Sequence, residues 1–547
     1  MPKEYTKDQE AAINRRNKNL LVSAAAGSGK TMVLVDRILG LITAGETDVD
    51  EMLVVTFTNL AATEMKLKIN KAIKKAMSDD PKTRERLKNQ LDKLYRSNIS
   101  TFDKFSGKVI KEFFYKIDVN PNYSLCDNIK EELLMRDAMT VLFDEMFEND
   151  CAIPGASFRE FLMLYSDANS EENLKSQMIS VYKKLRSMPD YFSWADEKLN
   201  HLKIPKSGYK NSVIYRQFLQ NIGERVIEAS KLEDLYIPMF DEMTVPKKRK
   251  KLDLERNELF RLSEMSKQGN FDDDYIDRVL NFKFTTLRGT NDEKNEIKLI
   301  SDKITPIRDK TKELIKKARI NIQKIQREEL YIENENTYKY SKYYIELLKK
   351  FEEIYQESKR SQGLMDFSDV NHYAYKILCD EEAASILRKR FKYIFIDEYQ
   401  DTNYLQESII SKIARDDNLF KVGDVKQSIY RFRQAEPQIF IDTVDKYELD
   451  DKSENINLSH NFRSNPRTID FINEVFKQLI PEYEAKASLN AGLKIPDEYD
   501  YKPELHMICV ENSDNDAENL GVTNEEKEAA YIANIIGNLI GREFYDS

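Results

Sequence analysis

The stretch Ala24-Ala25-Ala26-Gly27-Ser28-Gly29-Lys30-Thr31 constrains this chain more than any other. It follows a short apolar run, Asn19-Leu20-Leu21-Val22-Ser23, that reads as a buried parallel strand. It precedes Met32-Val33-Leu34-Val35-Asp36-Arg37-Ile38-Leu39, whose apolar spacing reads as a helix. Strand, glycine-rich turn and helix form the context that a phosphate-binding loop requires. Small residues let backbone N–H groups close around phosphates, and the helix N-terminus adds the positive end of its dipole. In that reading Lys30 reaches the β- and γ-phosphates, and the Thr31 hydroxyl ligates Mg²⁺. Ala24 stands where the pattern G-x-x-x-x-G-K-[ST] has its first glycine, so the flanking strand and helix carry the reading.

The 547-residue chain is long enough for several domains, and 41% hydrophobic content supplies real cores. Charged residues make up 33%, and 29 tyrosines accompany them, which points to long solvated helices. A net charge of −10 excludes a bulk polycation, so any nucleic-acid site must be a local basic track. The four cysteines, Cys126, Cys151, Cys379 and Cys509, have neither zinc nor redox spacing and form no disulfide scaffold. The four histidines are scattered and form no ligand cluster. No signal-peptide pattern is present, and no apolar run approaches the roughly 20 residues of a membrane span. A cytoplasmic protein without membrane association is expected.

Ahead of the loop, Thr6 and Gln9 have the spacing of a capping box. A Gln amide also donates and accepts in one plane, as adenine recognition needs, so both roles stand for Gln9. Met52 to Met65 runs from apolar residues into Thr56-Phe57-Thr58-Asn59 and then into a helix. Ligands of an open α/β sheet bind outside the carboxyl ends of such strands. Phe57 among hydroxyl and amide groups is either an aromatic for single-stranded nucleic acid or a core residue. Ile99 to Phe105 repeats the strand-to-helix theme. From about 120 to 360 the texture turns to Lys, Glu, Tyr and Leu at helical spacing, which reads as a helical insertion. Within it, Pro246-Lys247-Lys248-Arg249-Lys250-Lys251 is read by default as a solvated loop. A contact with duplex phosphates and a nuclear-import signal are the other readings.

Strand signals then resume. Gly363 to Val370 returns to the main domain, and Asp366 has the position of a helix cap. Phe391 to Ile396 is a hydrophobic strand ending in the adjacent carboxylates Asp397 and Glu398. Asp397 can hold Mg²⁺ and Glu398 can activate a water, as nucleotide hydrolysis demands. Past Lys421-Val422-Gly423, Gln427 has the position of a γ-phosphate sensor. Tyr430 and Phe432 alternate with Arg431 and Arg433, either as a stacking platform for bases or as a core strand. Arg463, near a later strand end, could act as an arginine finger, and Phe462 could stack on adenine.

In order, Gln9, the phosphate loop, TFTNLAATEM, IDEYQDT, VGDVKQSIYRFR and LSHNFRS resemble the successive motifs of superfamily 1A DNA helicases, the UvrD/Rep/PcrA class. The AAAGSGKT loop, GLMDFSDV, the large insertion, QAEP and EAKASLN at 484–490 are similar to the N-terminal half of the AddA family, helicase–nuclease subunits of bacterial AddAB. The resemblance implies an α/β fold: a RecA-like P-loop NTPase domain with a parallel sheet, interrupted by a large all-helical insertion. The implied domains are 1–119 and 361–483 for the RecA-like domain, 120–360 for the insertion, and 484–547 for the start of a second RecA-like domain.

It implies a 3′–5′ helicase using ATP and Mg²⁺, acting on single-stranded and duplex DNA in break repair and recombination, with an AddB-like partner. By the same resemblance Lys30, Thr31, Asp397 and Glu398 carry hydrolysis, with Thr31 and Asp397 at the metal. Gln9, the residues Ala24 to Thr31, Phe462 and Arg463 hold the nucleotide, and Gln427 and Arg463 couple the γ-phosphate to motion. Phe57, Thr58, Asn59, Tyr430 and Phe432 lie along single-stranded DNA. There are departures. Asp103 replaces a family histidine and would repel phosphate, so no DNA contact is assigned to it, and Leu60 replaces a common Ala. The family's later motifs SKGLE and ALTRA are absent, as are its nuclease carboxylates. A truncated product or gene fragment, weak or inactive alone, is therefore expected; the alternative is an ATP- and DNA-binding module completed by a second chain.

Overall fold

The computed structural model describes residues 5–77, 81–117, 119–120, 122–165, 171–204, 206–236, 246–286, 294–326, 329–479, 488–493, 502–508 and 523–541. Residues 484–487 of the EAKASLN segment, much of the expected second RecA-like start, and Cys509 lie outside the described residues. The chain divides into two compact units. The first comprises Met1–Asp127, Arg186–Pro189 and Gly363–Ser547; the second comprises Asn128–Leu185 and Asp190–Gln362.

The first unit is built on β1 (Asn19–Ala24), β2 (Met52–Thr56), β3 (Asn98–Thr101), β4 (Ser124–Leu125), β5 (Leu364–Met365), β6 (Tyr393–Ile396), β7 (Leu419–Gly423) and β8 (Ser453–Leu458). Six of these form one sheet in the order β3-β2-β6-β7-β1-β8. Every pairing in it is parallel, with Val22 opposite Val422 on one side and Ile456 on the other. Every residue of β2 and β7 is buried, because a parallel sheet is covered on both faces. Alternation decides the face. Leu53, Val55, Ile394 and Ile396 pack with Phe105, Val109 and Ile377. Met52, Val54, Phe395 and Val22 pack on the other side with Val33, Leu34 and Ile38.

Three helices frame the site: α1 (Lys7–Asn14), α2 (Lys30–Ala44) and α3 (Asn59–Ala76). Helix α2 follows β1, and α3 follows β2, each across a short loop. The carboxyl ends of β1, β2, β6 and β7 therefore deliver their loops to one edge of the sheet.

The chain returns to this unit through the pairing of β4 with β5. Asp366 caps the helix Phe367–Leu378, accepting the Asp369 N–H at 2.7 Å. The Asp369 carboxylate accepts the Asp366 N–H at 3.0 Å and the Arg186 guanidinium at 2.7 Å. All three side chains are buried. GLMDFSDV is thus a structural clasp, and Arg186, together with the Ser187 carbonyl bonded to the Leu405 N–H at 2.9 Å, ties the short segment 186–189 to the first unit.

Among its described residues the second unit contains helices and no strand. Leu219, Ile222 and Val226 of the helix Val213–Tyr236 pack against Ile315, Ala318 and Ile322 of the helix Lys294–Ile325. The basic run at 246–251 is not the loop expected by default: it opens the helix Pro246–Lys267. Proline suits a first helical turn, because its fixed φ is helical and its missing N–H would have no partner there. The side chains of Lys247, Lys248 and Arg249 lie outside the described residues. Among the described residues no helix is long and apolar enough to cross a membrane.

Candidate active site

The phosphate loop closes over the end of β1. Gly27 and Gly29 have φ of +73° and +85°, backbone that side chains resist. Gly29 is also the N-cap of α2, so Lys30 and Thr31 form that helix's first turn. The Ser28 side chain is fully buried and its Oγ has no hydrogen-bond partner among the described residues. A buried hydroxyl of this kind calls for a polar ligand. Gln9 does two jobs at once. Its Oε1 accepts the Thr6 N–H at 3.0 Å, completing the capping box, and its Nε2 donates to the Ser28 carbonyl at 3.0 Å. The capping role is therefore filled, and the same amide touches the phosphate loop.

The carboxylates emerge from β6. The Asp397 N–H still bonds to Val55 O at 2.9 Å, extending the sheet. The next residue, Glu398, turns into the left-handed region with φ of +52°, a strained conformation for glutamate. Its Oε2 pairs with Lys30 Nζ at 2.8 Å and accepts Gln400 Nε2 at 2.8 Å. Burial, then the Glu398 charge, pushes the Asp397 carboxyl up to about 6, while Lys30 and Lys68 oppose the shift. Burial and Glu398 likewise push Asp401 up to about 6. A divalent cation would relieve this crowding of negative charge.

The β7 loop closes against these groups. Gly423 lets the Gln400 amide oxygen sit close, since a Cβ there would run into it and force that side chain to move. The Asp424 N–H donates to that oxygen at 2.9 Å. Gln427 Nε2 donates to Asp424 Oδ2 at 2.7 Å, and Lys426 pairs with Asp424 Oδ1 at 3.0 Å.

The segment after β8 forms the short strand β9 (His460–Asn461), which pairs with β10 (Asn490–Ala491). Phe462 N–H donates to the Gly27 carbonyl at 2.9 Å. Arg463 is exposed beside the loop, and a Cβ on Gly27 would lie 2.7 Å from Arg463 Cβ.

The aromatic residues lie on the neighbouring loops. Phe57 is half-buried rather than in the core, with its ring centroid 4.6 Å from that of Tyr430. Tyr430 in turn lies 5.6 Å from Phe432, which is 75% exposed. Arg431–Arg433 is a single 3-10 turn, so the core-strand alternative for this stretch is overturned. The Arg433 side chain lies outside the described residues. Thr58 caps α3, accepting the Ala61 N–H at 3.0 Å, and Asn59 is exposed in the first turn.

One cleft of about 650 Å³ is lined by Thr31, Asp397, Glu398 and Gln427 together with Phe57, Thr58 and Tyr430. Asn59 and Phe432 stand outside its lining. Lys68 and Asp401 also line it, and sequence reasoning missed both. Lys68 falls on the face of α3 that carries Ala61 and Met65, so helical spacing from the Thr58 cap would have found it. Gln400 and Asn461 were missed too, since nothing in their own codes separates a buried amide from a loop residue. Among the described residues no group of three or more His, Cys, Asp or Glu could cage a metal. Thr31 and Asp397 on one cleft fit Mg²⁺, which takes few protein ligands and completes its shell with phosphate and water. The positive-φ glycines and the orphaned Ser28 hydroxyl fit the phosphates.

A phosphate loop after an inner strand of an all-parallel sheet, with paired carboxylates two strands away, defines a P-loop NTPase of the RecA-like class. Residues 5–448 match the family described as UvrD/REP helicase N-terminal domain, and the chain belongs to that family. It is also similar to ATP-dependent helicase/nuclease subunits of the AddA type. The relative from Alkaliphilus oremlandii is 32% identical over 558 residues, covering 100% of this chain and 46% of its own length. That from Syntrophomonas wolfei is 33% identical, covering 91% of this chain and 40% of its own. That from Staphylococcus haemolyticus is 32% identical, covering 99% and 45%. The chain thus spans less than half the length of these relatives.

Proposed function

We propose that this chain is the ATP-binding motor portion of a DNA helicase–nuclease that works in double-strand break repair and recombination. The observation that carries the reading is the shared cleft: groups suited to phosphate hydrolysis and groups suited to base stacking line the same 650 Å³. Bound Mg²⁺ would screen the triphosphate and polarise the γ-phosphate. Lys30 and Arg463 bind the phosphates, and Thr31 and Asp397 hold the cation. Glu398 orients and deprotonates the attacking water, and Gln427 senses the γ-phosphate. Gln9 and Phe462 face adenine. Phe57, Thr58, Asn59, Tyr430 and Phe432 track single-stranded DNA, with 3′–5′ movement as in the family. An AddB-like protein is the partner, duplex DNA the wider substrate and the cytoplasm the compartment. Residues 1–119 and 361–483 make up the motor domain, 120–360 its insertion, and 484–547 lead into a second RecA-like domain.

The Lys30–Glu398 ion pair favours a second reading as well. The pair must open before either group acts, and a second motor domain or chain would help to open it. In that reading this chain binds ATP and DNA without steady turnover. ATP turnover by the 547-residue chain, with and without single-stranded DNA and beside Lys30→Ala, tests both. DNA-stimulated turnover lost in Lys30→Ala supports a self-sufficient motor. Nucleotide binding with negligible turnover supports the second reading. Failure to bind nucleotide at all overturns both.

A further inference from the structure

Asn461 ties the arginine-bearing segment to the phosphate loop. Its side chain is only 3% exposed, and both ends of the amide are used. Nδ2 donates to the Ala26 carbonyl of the loop at 2.8 Å. Oδ1 accepts two backbone N–H groups, those of Arg463 and Ser464, each at 2.8 Å. A fourth bond, from Phe462 N–H to the Gly27 carbonyl at 2.9 Å, runs beside it. Gly27 leaves no room between the two segments, since a Cβ there would lie 2.9 Å from Asn461 Oδ1. The loop and the turn carrying Arg463 therefore move together. A buried amide bonded at both its nitrogen and its oxygen fixes its partners strongly, because breaking those bonds would leave unsatisfied polar groups.

We propose that Asn461 is a positioning residue that holds Arg463 in register with the phosphate loop, so that γ-phosphate in the loop meets the guanidinium already in place. The proposal rests on the reading of Arg463 as a γ-phosphate ligand. It predicts a preference of ATP over ADP that depends on an amide which touches neither. Asp at this position keeps the acceptor for the Arg463 and Ser464 N–H groups but sets a carboxylate against the Ala26 carbonyl. Ser at this position adds no charge and is too short to span the gap.

The test is binding of a fluorescent non-hydrolysable ATP analogue and of the matching ADP analogue, both with Mg²⁺, to the full chain. Wild type, Arg463→Ala, Asn461→Asp, Asn461→Ser and the double variant Asn461→Ser/Arg463→Ala are compared, each with its thermal midpoint. Arg463→Ala is expected to lower the ATP-to-ADP affinity ratio about tenfold or more, the loss of one charge-assisted bond. Asn461→Ser is expected to lower the same ratio severalfold with ADP binding kept, and the double variant to fall no further than Arg463→Ala alone. If Asn461→Asp does not fold, Asn461→Ser carries the comparison. Equal loss of ATP and ADP binding with a lowered midpoint in Asn461→Ser would make the residue merely structural and overturn the proposal. An additive double variant overturns it as well. An unchanged ratio in Arg463→Ala removes the γ-phosphate reading itself, and the proposal with it, by a separate arm.

Discussion

At the residue scale, the site is a set of neighbours whose chemistry differs from what any one of them shows alone. Glu398 pairs with Lys30 and shares Gln400, while burial and the Glu398 charge raise both Asp397 and Asp401. Glu398→Gln removes the proposed base but leaves a polar group of the same shape. It is expected to keep MgATP affinity and to lower any turnover by about 10²-fold or more, read by single-turnover hydrolysis beside nucleotide binding. Phe432 gives a cleaner test of the proposed DNA track, because its exposed ring contributes little to the core. Phe432→Ala should weaken single-stranded DNA binding by roughly 1–3 kcal/mol at low salt, with an unchanged urea midpoint. An unchanged DNA affinity would remove this residue from the proposed track.

At the element scale, β7 carries a lysine into the middle of the sheet. Lys421 is buried between Glu407 Oε1 at 2.7 Å and the Tyr399 hydroxyl at 2.8 Å. Burial lowers its pKa, although Glu407 opposes the shift. Glu407→Gln removes the counter-charge and leaves the ammonium in the sheet. A destabilisation of about 2 kcal/mol or more is expected, below the roughly 3–5 of a fully buried pair because Glu407 is partly exposed. The urea midpoint measures it. The sign with pH follows from the lowered folded pKa: between that value and the unfolded value the unfolded chain binds more protons. Stability lost in Glu407→Gln should therefore recover as pH rises into the alkaline range. Replacing both partners, Lys421→Met with Glu407→Leu, should cost much less than Glu407→Gln alone, because neither charge is then left buried without its partner. No sequence pattern marked Lys421 as buried, since lysine in an apolar run reads equally well as a strand edge.

At the scale of the whole molecule, each unit has its own core, one on the sheet and one among helices. Calorimetry is expected to resolve two transitions. A non-hydrolysable MgATP analogue at about 100 times its dissociation constant should stabilise the sheet unit by about 2.7 kcal/mol and leave the helical unit's transition in place. Excess chelator should abolish the shift. A shift of both transitions, or of neither, would contradict a nucleotide site confined to the first unit.

The phosphate loop, the carboxylate pair and the order of the motifs were legible in the sequence, because each rests on residue types at fixed short spacing. Strand runs such as Met52–Thr56 were legible for the same reason: continuous burial leaves a continuous apolar code. The helical texture of the insertion was legible from its period, but not the return of Arg186 to the sheet unit. That return needs a partner, Asp369, far along the chain. The core readings of Phe57 and Tyr430 were excluded only by tertiary structure, because exposure of a ring depends on what the other loop brings against it. The bonds of Gln9 to Ser28, of Gln400 to Glu398, and of Asn461 to Ala26 were likewise decided in three dimensions. Local chemistry names the groups that can act, and only the folded chain determines which of them meet.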